Sequence, residues 1–181
     1  MGRFQLKRGQ IAIGATALVV LVAAGIAMAI SNKSGGPITA VRAVESSDPE
    51  STMTDAFVDL PGAQTQPVSV AAGRTALMLV RFSAQSQCGG PGSNDTGCFV
   101  RIMLQRAGGA PRQALPAAND FAFDEDKSTV ALGEREARSM DRWLVVGPGT
   151  WRARVQFRVE DTQNTFTLDD WSLILERSDR R

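Results

Sequence analysis

Histidine and tyrosine are both absent from this 181-residue chain, and only two cysteines are present. The missing histidine removes the usual general base, the usual proton shuttle and a common metal ligand together. Serine-nucleophile chemistry loses its base for the same reason, and no Gly-x-Ser-x-Gly turn occurs. Lys127 is the only lysine beyond residue 53, with Ser128 beside it in an apparent loop. A Ser–Lys dyad there is read as a chance pairing. Charge of one sign is lacking too: Lys+Arg 20 face Asp+Glu 19, for a net +1. Arg3, Lys7 and Arg8 precede the first apolar stretch with no acid among them, so the remainder is slightly acidic. Such a balance leaves no electrostatic footprint for nucleic acid, and none is expected as a partner.

What is present begins with an apolar run. Residues Ile11 to Ile30 carry no charge and are rich in Ile, Val, Leu and Ala. At about 1.5 Å per residue they extend roughly 30 Å as a helix, the thickness of a bilayer core. Residues 11–30 are therefore expected to form a transmembrane signal-anchor, the contact of this chain with the membrane. The basic flank 1–10 is expected to stay cytoplasmic, with the C-terminal part outside, in a single-pass cell-membrane protein. Ala27-Met28-Ala29 also fits a small-x-small cleavage site, and secretion after cleavage near Ala29 is the alternative. The run exceeds the usual apolar stretch of a signal peptide, about 7–15 residues, which favours the anchor. Gly14 and Gly25 are too far apart for a Gly-x-x-x-Gly dimerisation face.

Residues 31–53 (SNKSGGPITAVRAVESSDPESTM) are rich in Ser, Gly, Pro and charge. They read as a solvated, disordered linker holding a domain off the membrane. Residues 54–181 then read as one extracytoplasmic domain, large enough to bury its own core.

Strand-like alternation dominates that domain. Val68 and Val70 mark a short strand. Thr75 to Ser83 is apolar on both faces, with Leu77 and Leu79 opposite Met78, Val80 and Phe82, as suits a central strand. Phe99 to Gln105 alternates, read with Arg101 opposite Phe99 and Met103. Met140 to Val146 leads into the turn Gly147-Pro148-Gly149. Thr150 to Glu160 has Trp151, Ala153, Val155, Phe157 and Val159 on one face, and Arg152, Arg154, Gln156 and Arg158 on the other. In Thr165 to Glu176, Phe166 and Leu168 are out of parity with Trp171, Leu173 and Leu175. A bulge or bend is expected at Asp169-Asp170, with at least one of these acids paired to an arginine or capping the bulge. LGEREARS (Leu132–Ser139) is the one short helical candidate after residue 53. The expected fold class is all-β, an antiparallel β-sandwich of jelly-roll-like form, preceded by the N-terminal helix.

ALMLVRFSAQSQC, GCFVRIML, VGPGTWRARVQ and FTLDDWSLILER together resemble uncharacterised bacterial exported domains. The resemblance spans roughly residues 66–177. It implies a jelly-roll-like sandwich and brings no catalytic residues.

Cys88 and Cys98 enclose GGPGSNDTG between two expected strands. An exported compartment permits a disulfide, whereas Cys-x9-Cys is neither a redox motif nor half of a zinc site. A structural disulfide is expected. Asn94-Asp95-Thr96 matches a glycosylation sequon, a match that three residues often make by chance.

The densest acidic cluster, Asp120, Asp124, Glu125 and Asp126, could offer Asp120, Asp124 and Asp126 as oxygen ligands to calcium. The spacing and glycine of an EF-hand are missing, so a solvated loop is the plainer reading and no cofactor is required. Trp151 is expected in the core. Trp143 and Trp171 are left as ligand-stacking candidates. The leading expectation is a non-catalytic, membrane-anchored or secreted binding module that contacts an unknown protein at the cell surface. The arginines of residues 152–158 could form its contact face, although a solvated strand face is the plainer reading. A calcium-assisted module binding a cell-surface glycan is the alternative. An enzyme acting on glycosides through paired carboxylates comes third.

Overall fold

Alternating apolar and polar side chains favour extended backbone, and among the described residues every regular element is a strand. The computed structural model describes residues 35–91, 97–117, 122–125 and 135–180. In chain order the strands are β1 (Ile38–Ser46), β2 (Glu50–Thr52), β3 (Val58–Gln64), β4 (Val68–Val70), β5 (Ala76–Gly89), β6 (Gly97–Arg106), β7 (Pro111–Gln113), β8 (Ala122–Glu125), β9 (Glu136–Val146), β10 (Gly149–Val159) and β11 (Thr165–Asp179). They form two antiparallel sheets. One has the order β1-β11-β5-β9, with β2 also beside β11. The other has the order β3-β10-β6-β7, with β4 beside β10 and β8 beside β6. The all-β sandwich is as the sequence leads one to expect. The expected membrane helix 11–30 and its flank 1–10 lie outside the described residues.

The inward faces of the two sheets share one hydrophobic core. Trp151, Ala153, Val155, Phe157 and Val159 of β10 are all buried, facing Met78, Val80 and Phe82 of β5 and the apolar residues of β11. β5 lies between β11 and β9, which explains its second apolar face: Leu77 and Leu79 are half-buried on the outside. The anticipated bulge is present. Between Asp169 and Ser172 the register with β5 slips, two steps along β5 (Gln85 to Ser83) answering three along β11, and Asp170 sits at φ 43°. The extra residue restores Trp171, Leu173 and Leu175 to the inward face already used by Phe166 and Leu168. Arg135 pairs with Asp169 at 2.7 Å, and Gln85 donates to Asp170 at 3.0 Å.

Three expectations are corrected. Residues 31–53 are not a spacer throughout, because β1 pairs with β11 from Ile38↔Ser178 to Ser46↔Trp171 and β2 pairs with it from Glu50↔Leu168 to Thr52↔Phe166. The folded unit begins at Gly35, not at residue 54. β1 is an edge strand that packs only the half-buried Ala40 and Val44 against the core, so backbone pairing holds it without a strong apolar stripe. Glu136–Ser139 of the short helical candidate belong to β9. Arg101 shares one face of β6 with Phe99 and Met103 rather than opposing them, as their common parity requires, while Val100, Ile102 and Leu104 point into the core.

Candidate functional site on the outer face of the second sheet

The outward residues of β10 and β6 meet in register. Arg158 lies opposite Phe99, Gln156 opposite Arg101, Arg154 opposite Met103 and Arg152 opposite Gln105. Cross-strand neighbours in such pairs touch, and here each rung holds one arginine, set against an apolar side chain in two rungs and against a glutamine in the other two. β3 adds Asp59, opposite Gln156. The approach to β3 runs beside the end of β10, where the Val159 N–H donates to the Thr54 carbonyl at 3.0 Å. That path lays the Phe57 ring among the arginines: the Arg101 guanidinium carbon is 4.0 Å from its centroid and that of Arg158 is 5.2 Å away. Arg158 also lies 4.1 Å from the centroid of Phe99. Each such contact is worth about 0.5–1 kcal/mol when exposed, and more when water is excluded.

This face is partly dry. Phe99 and Met103, on the side away from the core, are each only 7% exposed, and Gln156 is 9% exposed. A polar network links the groups. Arg101 Nε donates to Gln156 Oε1 at 2.8 Å, Gln156 Nε2 donates to Asp59 Oδ1 at 2.7 Å, and an Arg154 terminal nitrogen donates to Asp59 Oδ2 at 2.8 Å. Both Asp59 oxygens are thus engaged. Among the described residues Arg154 Nε is buried without an acceptor. Burial first, then repulsion by Arg154 and more weakly by Arg158, lower the Arg101 pKa against the pull of Asp59.

The other residues singled out in the sequence fall elsewhere. Cys88 and Cys98 form the expected disulfide, with Cα atoms 5.9 Å apart and both residues buried. Asp120, Asp126 and Asn94 lie outside the described residues. Asp124 sits in β8, only 6% exposed, with Oδ1 accepting from the Glu125 N–H at 2.9 Å and lying 3.7 Å from Arg138. Burial pushes its carboxyl above the usual range, opposed by the Ser86 hydroxyl, the Glu125 N–H and Arg138, and aided by Glu136. Among the described residues no set of three or more His, Cys, Asp or Glu is placed to hold a metal ion. Trp171 is 2% exposed, its ring enclosed by the core, so it offers no face for a ligand. Trp143 is half-buried on β9, where its backbone exchanges two hydrogen bonds with Leu115 at 2.7 and 2.9 Å.

Sequence reasoning found the arginines of β10 but missed Phe57 and the role of Arg101. The parity of Phe99, Arg101 and Met103 carried part of that signal; the arrival of Phe57 over them is a tertiary event. No family and no curated protein sequence matches the chain.

Proposed function

We propose that this chain is a non-catalytic binding module of the cell surface, anchored by residues 11–30 or released by cleavage near Ala29, that engages a protein partner through the outer face of the β3-β10-β6-β7 sheet. The observation that carries this reading is the Phe57–Arg101–Arg158 cluster with its half-dry surround. Aromatic residues, Met and Arg are the side chains enriched at protein interfaces, and Lys and Glu are depleted there. The exposed apolar residue Met53 (55%) precedes Phe57 by four places in the chain. An ordinary solvated strand face would hold separate, hydrated arginines. Here they are packed on rings and tied into a network.

The jelly-roll reading of the sandwich is supported by strand pairing. β1 pairs with β11, β3 with β10, β5 with β9 and β6 with β7, so early strands join late ones in nested order. That nesting is what a long antiparallel ribbon rolled into two sheets produces, and jelly rolls commonly serve as recognition domains. The calcium-assisted glycan reading loses its stacking candidate Trp171, which is buried, and we prefer protein binding.

A photo-crosslinking residue at Gln64, exposed on this face, tests the reading in cells that make the protein, with Thr39 on the other sheet as control. A discrete adduct from Gln64, absent from Thr39 and suppressed by Arg158→Gln, is expected. Equal adducts from both positions, or none from Gln64, would contradict it.

A further inference from the structure

The donors on this face outnumber their acceptors. Arg101 spends only Nε, on Gln156, leaving its two terminal nitrogens without an acceptor among the described residues. Arg158 has ring contacts to Phe57 and Phe99 and no hydrogen-bond acceptor among the described residues. Because both guanidinium groups lie against the Phe57 ring, their carbons are within about 9 Å of each other. Asp59, the carboxylate of the network, already accepts one hydrogen bond on each oxygen, from Arg154 and Gln156. With Glu160 accepting from the Gly97 N–H beside Phe99 and Asp59 engaged by Arg154 and Gln156, the terminal nitrogens of Arg101 and Arg158 have no acceptor among the described residues, which favours a ligand that brings negative charge.

We infer that Arg101 and Arg158, held on the Phe57 ring, form an oxyanion clamp that binds carboxylates of an acidic segment in the protein partner. This rests on the proposed binding face and names the chemistry it recognises. A guanidinium presents paired N–H groups in a planar fork that matches a carboxylate, so two forks beside one ring can hold one or two acidic side chains. The half-buried Phe57 ring between the two guanidinium groups suits a peptide rather than a bare ion, because such a segment brings apolar side chains with its acids.

The test uses the full chain in detergent micelles and a labelled deca-glutamate peptide, with deca-glutamine as control and inorganic phosphate as a competing probe. Binding is read by fluorescence anisotropy at low and high salt. Saturable, salt-sensitive binding of the glutamate peptide alone is expected, weakened at least tenfold by Arg101→Gln or Arg158→Gln. Arg158→Lys keeps the charge and loses the fork, and is expected to weaken binding several-fold. Arg42→Gln, exposed on β1 of the other sheet, is expected to change it less than threefold. Unchanged thermal melting shows that each variant is folded; should Arg101→Gln not fold, the Arg158 pair decides. No preference for glutamate over glutamine, full competition by phosphate at equal carboxylate-equivalent concentration, or wild-type affinity in Arg158→Gln overturns the clamp. If the clamp fails while the Gln64 adduct persists, the face still binds protein and only its acidic specificity is wrong.

Discussion

Reducing the Cys88–Cys98 disulfide perturbs the fold in a way whose size follows from the chain. The bond closes a short loop, with a sequence separation of 10, between the end of β5 and the start of β6. In the chain-entropy treatment, opening such a loop returns about 2.7 kcal/mol of freedom to the unfolded state. A domain of about 150 residues gains roughly 0.3 kcal/mol/K of unfolding entropy near its midpoint. The reduced protein should therefore melt about 9 °C below the oxidised one. Substitution by alanine would add a packing loss, because the cysteines are 2% and 0% exposed. The cleaner comparison reduces the wild-type chain while unfolded, refolds it under reductant, and follows near-ultraviolet circular dichroism on heating. A difference below about 3 °C would show that loop closure contributes little. Loss of any cooperative transition would show that the disulfide, rather than the two-sheet core, carries the fold.

Other consequences can be checked with the same melting assay. A chain starting at residue 54 lacks β1 and β2 and bares one edge of β11, so it should melt non-cooperatively or more than about 10 °C below one starting at residue 35. Trp171→Ala should cost about 3–5 kcal/mol, whereas the ring of half-buried Trp143 should be the more accessible to an aqueous quencher. Asp124 holds its proton more tightly folded than unfolded. Its protonated form therefore contributes stability that is full below the ordinary carboxylate pKa, near 4, and is lost as pH rises through the raised value. Asp124→Asn should accordingly gain on the wild type as pH rises above the ordinary carboxylate value; a difference that is flat or falls with rising pH would refute the assignment.

The strands that sequence exposes most clearly are those with one wet and one dry face. β10 alternates without a break, and the parity switch around Asp169-Asp170 marks the bulge in β11 in the sequence itself. The same switch held more than was drawn from it. Trp171 shares its parity with Leu173 and Leu175, both fully buried, and that alone locates its ring in the core. β1 was invisible for a physical reason: an edge strand needs backbone pairing on one side only, and ITAVRAVES packs only two apolar side chains, Ala40 and Val44, partly against the core. The binding face was half legible. Arginines at three of the four outward places from 152 to 158 in β10 show in the sequence, but the packing of Arg158 depends on Phe57, which lies 44 residues from Arg101 and 101 from Arg158 in the chain. Such a meeting follows from strand order, which local pattern does not encode.

The most direct test of the account is the arginine side-chain nitrogen–proton spectrum of the labelled full chain in micelles, recorded with and without the glutamate peptide. The account predicts that the Arg101 signal is displaced by the Phe57 ring and loses that displacement in Phe57→Leu, that the Arg158 signal, which also lies on the Phe99 ring, keeps part of its own, and that both move on peptide addition while Arg42 and Arg81 of the other sheet stay still. Signals at the ordinary arginine position, or peptide shifts as large at Arg42 and Arg81, would contradict it.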